Sequence, residues 1–255
     1  MSEQSIAKST YPAAGAKAAG SLSAADSLSA AGALSAADSL SAAGAITPAA
    51  AATLRNTYRL LAMTLGFSAV VAATSAALQL PYPGIVLTLV GYFGLLFATS
   101  HLRNSAWGLV SVFALTGFMG YTLGPLLAAY LTLSNGSTLI ATSMGTTGIV
   151  FLALSAYARS ERAVDMLRFG TFLFVGVLTA FVLGLSAIFF EIPALSLAVS
   201  GLFVLLMSGL ILYETQNILR GGETNYIMAT VTLFVAIFNL FTSLLHLLGF
   251  FGGED

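Results

Sequence analysis

An all-α, polytopic membrane protein is predicted: seven transmembrane helices behind a disordered N-terminal tail. Three observations carry that expectation. Of 255 residues, 58% are hydrophobic and only 7% charged, with a mean hydropathy of +0.94, where a soluble domain carries about 25% charged residues. From Leu60 onward, long apolar runs alternate with short polar turns. Finally, the cationic residues fall on alternate turns only, the distribution that membrane topology imposes.

The first 53 residues differ from the rest, being dominated by Ala, Ser and Gly. Within them SLSAADSLSAAG (21–32) returns as ALSAADSLSAAG (33–44) with one change. So little apolar surface does not offset the entropy of ordering a chain, which predicts a solvated tail over 1–53 and a membrane domain over 54–255. No continuous apolar core follows Lys8 or Lys17, and Asp26 and Asp38 oppose a transit peptide, so the tail does not read as a targeting signal.

The apolar runs lie at roughly 60–80, 85–100, 107–131, 138–158, 169–190, 194–219 and 226–250. Six are long enough for a hydrocarbon core of about 30 Å, and the second is marginal. Charge decides its status. With seven crossings, all nine cations, Lys8, Lys17, Arg55, Arg59, Arg103, Arg159, Arg162, Arg168 and Arg220, share one side; with six, they split and the bias vanishes. The positive-inside rule therefore selects seven spans, with the N-terminus in the cytoplasm and the C-terminus on the opposite side.

Turn chemistry fits this division. Pro81–Gly84 closes the first hairpin and Asn135-Gly136 a later one, while Gly221-Gly222 ends the sixth helix and Thr224 or Asn225 caps the seventh. In the third run Gly120 and Gly124 have the small-xxx-small spacing of close helix packing, and Gly124-Pro125 is the alternative, a hinge.

Composition also excludes functions. A net charge of −1 provides no basic field for nucleic acid, and the absence of cysteine removes disulfides and thiolate metal sites. His101 and His246 give no metal-ligand spacing, and no HExxH, GxSxG, P-loop or dinucleotide fingerprint is present, so neither enzyme, metal nor cofactor is expected. What remains is a small set of intramembrane polar groups. Glu214 lies about 10 Å before Gly221 at 1.5 Å per residue, and ionisable groups at such positions are functional candidates. It is read either as a pH- or ion-sensing acid, together with Asn239, or as an acid fixed by Arg220 or by a donor on the seventh helix. Asn239 is otherwise interhelical glue, His246 and Trp107 are interfacial, and Arg159–Arg168 is a solvated loop.

LRNTYRLLAMTLGFSA (54–69), GFMGYTLGPLLAAY (117–130), FLALSAYA (151–158) and ETQNILRGGETNY (214–226), the last continuing to Val231, resemble the Bax inhibitor-1/YccA family over about 54–255, nearest its bacterial YccA-like branch. The resemblance implies an inner-membrane bundle wrapped around a central seventh helix. For YccA-like members it implies an interaction with FtsH, a membrane-bound ATP-dependent protease. The tail, from Ser2 and Glu3 through Lys8 and Lys17, would then serve as an initiation segment of a poorly processed client. Other members resemble pH-sensitive calcium leak channels, making calcium, beside membrane lipid, the alternative partner. Those channels pair an acid on the sixth helix with an aspartate on the seventh; Glu214 matches the first position, but the second falls at Ala236 and lacks a carboxylate.

Overall fold

A computed structural model describes residues 46–252. The tail positions Ser2, Glu3, Lys8 and Lys17 and the repeat at 21–44 lie outside the described residues. Seven helices follow in order: α1 (Pro48–Ala77), α2 (Ile85–Leu102), α3 (Trp107–Leu131), α4 (Gly136–Tyr157), α5 (Gly170–Phe189), α6 (Pro193–Leu219) and α7 (Tyr226–Gly252), with a 3₁₀ turn at Met166–Phe169 leading into α5. Each is long and apolar enough to cross a membrane, α2 included. The chain is thus an all-helical, multi-pass membrane protein.

α1 starts at Pro48, well before the apolar run at 60. The Thr47 hydroxyl accepts the Ala50 N–H at 3.2 Å, with Pro48 in the first helical position, where a missing N–H costs nothing. Polar residues at Arg55, Asn56 and Arg59 mask this early start from hydropathy, but they do not prevent an Ala-rich helix.

α7 is central. It packs directly against α1, α3, α4 and α6, while α2 lies outside against α3 and α5 outside against α6. The encirclement expected from six neighbours is therefore built in two layers. Leu115, Met207, Ile211, Leu233, Phe234 and Leu240 form the sealed core around α7. Lipid tails are as apolar as these side chains, so close fit drives such packing in a membrane more than hydrophobicity does.

The α1–α3 pair shows how close that fit is. A Cβ added at Gly124 would collide with the Ser75 side chain, and one at Gly120 would meet the backbone carbonyl of Ser68. Proline lacks the N–H that would bond the carbonyl one turn earlier, so Pro125 leaves Tyr121 without its intrahelical donor. The Ser75 hydroxyl donates to that carbonyl at 3.0 Å. Gly120, Gly124 and Pro125 thus lie together in one helix contact, and α3 runs through Pro125 unbroken.

Candidate functional site

The turn from α6 into α7 gathers side chains from most of the chain. Gly221, at φ +74°, adopts the left-handed conformation that closes a helix C-terminus; its N–H donates to the Ile218 carbonyl and that of Gly222 to the Asn217 carbonyl. Asn225 then starts α7 by accepting the N–H groups of Ile227 and Met228 at 3.0 and 3.2 Å. Between them, Asn225 rather than Thr224 is the cap.

Three other segments are fastened to this turn. The Gln216 side chain, 2% exposed, accepts the Met166 N–H at 2.9 Å and donates to the Val164 carbonyl at 2.8 Å. Asn225 donates to the Arg103 carbonyl and the Asn104 side chain, and the Thr53 hydroxyl reaches the Thr224 carbonyl. The α4–α5 connection, expected to be a free solvated loop, is therefore clamped at its centre. Tyr157 adds to this by donating to the Arg162 carbonyl and accepting from the Val164 N–H.

Asp165 sits between Arg220 and Arg168 at 3.0 and 3.2 Å. Partial desolvation acts to raise its pKa, but the hydrogen bond and charge of Arg220, the Leu167 backbone and Arg168 outweigh it, and the carboxyl is held below its ordinary value. Arg220 thus serves Asp165. It does not hold Glu214, the partner the sequence suggested for it.

Glu214 is 5% exposed, and its polar surroundings are Asn217, one turn later on α6, and the like-charged Glu223. Among the described residues, no cation pairs with it. Asn239 is elsewhere: its amide donates to the Val235 carbonyl of its own helix at 2.8 Å. α6 and α7 run antiparallel, and the Ser200 hydroxyl meets His246 Nδ1 at 2.7 Å. Counting from that pair, Asn239 is level with Met207, roughly 10 Å short of Glu214. The two candidate sensing residues therefore do not form one site. Ala236, where a second acid would stand, is fully buried.

His246, expected as a simple interfacial residue, lines a cleft of about 400 Å³ together with Asn239, Ser200, Thr242, Ser243 and Tyr130. The described arginines cluster at the other end of the bundle, on or beside the segments that meet at the α6–α7 turn. No group of three His, Asp or Glu side chains that could hold a metal gathers among the described residues. Sequence reading missed Gln216 and Asp165 as clamping residues. The one available signal was a Gln-Asn pair and an arginine placed directly before Gly-Gly.

Fold and site together define a multi-pass helical membrane protein built on a central C-terminal helix, without the constellation of an enzyme centre among its described residues. The chain belongs to the Bax inhibitor-1/YccA family: the family model described as inhibitor of apoptosis-promoting Bax1 matches residues 50–253. It is 52% identical over 205 residues to an uncharacterized protein of Pseudomonas aeruginosa, covering 80% of this chain and 92% of the relative. It is 50% identical over 197 residues to the modulator of FtsH protease YccA of Escherichia coli K12, covering 77% and 89%. An uncharacterized membrane protein of Vibrio cholerae is 43% identical over 204 residues, covering 79% and 91%. A further relative, from Escherichia coli O6:H1, is named as an inner membrane protein, and this chain is likewise a multi-pass protein of the inner membrane.

Proposed function

We propose that this protein is a regulator of the membrane-bound protease FtsH, binding it as a poorly processed client so that other membrane clients are degraded more slowly. The observation that carries the reading is the 50% identity, over 89% of its length, to a relative named as a modulator of that protease. The α6–α7 turn fits a docking role. It ties the first turns of α1 and the segments between α2 and α3 and between α4 and α5 into one surface, and the positive-inside rule puts that surface, with its arginines, in the cytoplasm. The C-terminus is then periplasmic. The residues that precede α1 supply the initiation segment that a processive ATPase requires, and the protein itself catalyses nothing.

Deleting residues 1–45 tests this: degradation of a second membrane substrate should accelerate while the truncated protein still inserts. An unchanged degradation rate, with insertion verified, would reject the client mechanism.

Glu214 favours a second reading. A buried carboxylate with no cation partner among the described residues is a costly feature inside a membrane helix, and it suits a pH-sensitive calcium leak. The position of the channel branch's second acid is Ala236 and Asn239 is set apart, so Glu214 would have no acid on α7 to share a proton with. Calcium flux into proteoliposomes should then lose its pH dependence in Glu214→Gln; wild-type flux at every pH would remove the channel reading.

A further inference from the structure

α1 and α4 both pack on α7 but barely on each other. Between them a cavity of about 520 Å³ runs down to the central helix, lined by Ala69 and Ala73 of α1, Met144 and Gly148 of α4, and Phe234 and Phe238 of α7. Its walls are almost wholly apolar. A Cβ added at Gly148 would meet nothing within 4 Å.

At one end of this groove aromatic rings and a cation come together. Phe151, which lines the groove, lies 5.7 Å from the Tyr58 ring at an interplanar angle of 60°, and the Arg159 guanidinium sits 5.8 Å from the centroid of the Tyr58 ring, within cation–π range. Ser155 stands one helical turn after Phe151 on α4 and four residues before Arg159, which lies in the turn that follows the helix. Its hydroxyl, in a residue only 4% exposed, has no hydrogen-bond partner among the described residues, and neither does that of Tyr58. Buried hydroxyls ordinarily find partners, so orphaned ones need an explanation. Arg55, Arg59 and Arg162 add positive charge at this end, and none is ion-paired among the described residues.

Along α1 the apolar lining runs from Leu65 to Ala73, about 10 to 22 Å from Tyr58 at 1.5 Å per residue. With Tyr58 at its edge, a hydrocarbon core of about 30 Å places that stretch from within one leaflet to about 7 Å past the midplane. A molecule with an acyl chain at that depth, ester oxygens at the level of the two hydroxyls and a negative head at the guanidinium is a phospholipid.

We propose that the α1–α4 groove is a binding site for an anionic phospholipid, with one acyl chain laid against α7 and the phosphate held at Arg159. The head is recognised by charge-assisted hydrogen bonds, and the chain by the apolar walls. A transmembrane helix of a partner is a poorer occupant, because it would bury Arg159 and the hydroxyls without answering them.

The test uses the full-length protein in mild detergent, mixed with equal amounts of phosphatidylglycerol and phosphatidylcholine, with bound lipid counted by native mass spectrometry. Wild type should retain phosphatidylglycerol in preference. Arg159→Ala should reduce that preference about tenfold, the loss expected for one hydrogen bond to a charged group, and Arg159→Lys should restore part of it. Gly148→Phe should fill the groove and lower retention of both lipids, whereas Gly148→Ala should not. Should Gly148→Phe fail to fold, the surface variant Arg159→Ala still decides the question. Equal retention of the two lipids by wild type, or undiminished retention in a folded Gly148→Phe protein, overturns the proposal. So does a photo-crosslinker at Ala69 that captures protein in membranes and no lipid.

Discussion

The two ends of the α6–α7 pair are held by different means. At the junction end, where α6 turns into α7, side chains reach across to the backbone of other segments: Gln216 to Val164 and Met166, Asn225 to Arg103, Thr53 to Thr224. At the distal end the bundle is held by shape, with Gly120 and Gly124 letting α3 touch α1, and its polar groups, His246, Ser200 and Asn239, border a cleft. The junction end is thus mainly directional and fixes loops; the distal end is mainly steric and fixes helices, with a few bonds of its own, from Ser75 to the Tyr121 carbonyl, from the Tyr121 hydroxyl to the Pro81 carbonyl and from Asn135 to the Gly252 carbonyl. An acid buried at the directional end is surrounded by a rigid frame, whereas polar groups at the steric end keep room around them.

The largest effect should come from the steric end. Gly124→Leu drives a side chain into Ser75, and overpacking of this kind costs about 1–3 kcal/mol or more; a lower melting temperature in detergent and loss of α1–α3 crosslinking would report it. Next is Gln216→Leu at the directional end, which strands the Met166 N–H and the Val164 carbonyl. Both bonds are only part-buried, so each loss costs about 0.5–1.5 kcal/mol, and limited proteolysis should cut the 159–168 segment first. Protection there equal to wild type would show that the clamp holds nothing.

Smaller changes sharpen the contrast. Asn225→Ala removes a helix cap, about 1 kcal/mol, together with the tie to Arg103, and should speed hydrogen exchange in the first turn of α7 alone. Ser200→Ala removes one interhelical bond of the kind that averages about 0.6 kcal/mol in membranes, and its melting temperature should barely move. The smallest effect belongs to Asp165→Asn. Because the native pKa of Asp165 is lowered, its ion pairs stabilise the fold above the ordinary carboxylate range, and that contribution fades as pH falls through the lowered value. Wild type and variant should therefore converge on acidification; a gap that widens instead would refute the pairing.

Much of the fold was legible before any coordinates. Apolar length and one-sided charge suffice for seven spans, and glycine spacing marks a close helix contact, because each depends only on neighbours along one helix. The start of α1 was hidden, since hydropathy measures membrane depth and α1 extends into polar sequence at Arg55 and Arg59. The site was less legible. Glu214 stands out by chemistry alone, but whether Arg220 turns to it or to Asp165 depends on where a loop some fifty residues earlier in the chain comes to rest. Gln216 is an ordinary polar residue until that loop lies against it.

The bond from Ser75 to the Tyr121 carbonyl also bears on how the protein is made. A bare carbonyl in hydrocarbon costs several kcal/mol, so α3, with Pro125 inside it, is a flawed span by itself. The donor that repairs it lies upstream and leaves the ribosome first. Synthesis order therefore delivers α1 in time to receive α3, and a third helix that settles beside the first is spared the cost of a bare carbonyl.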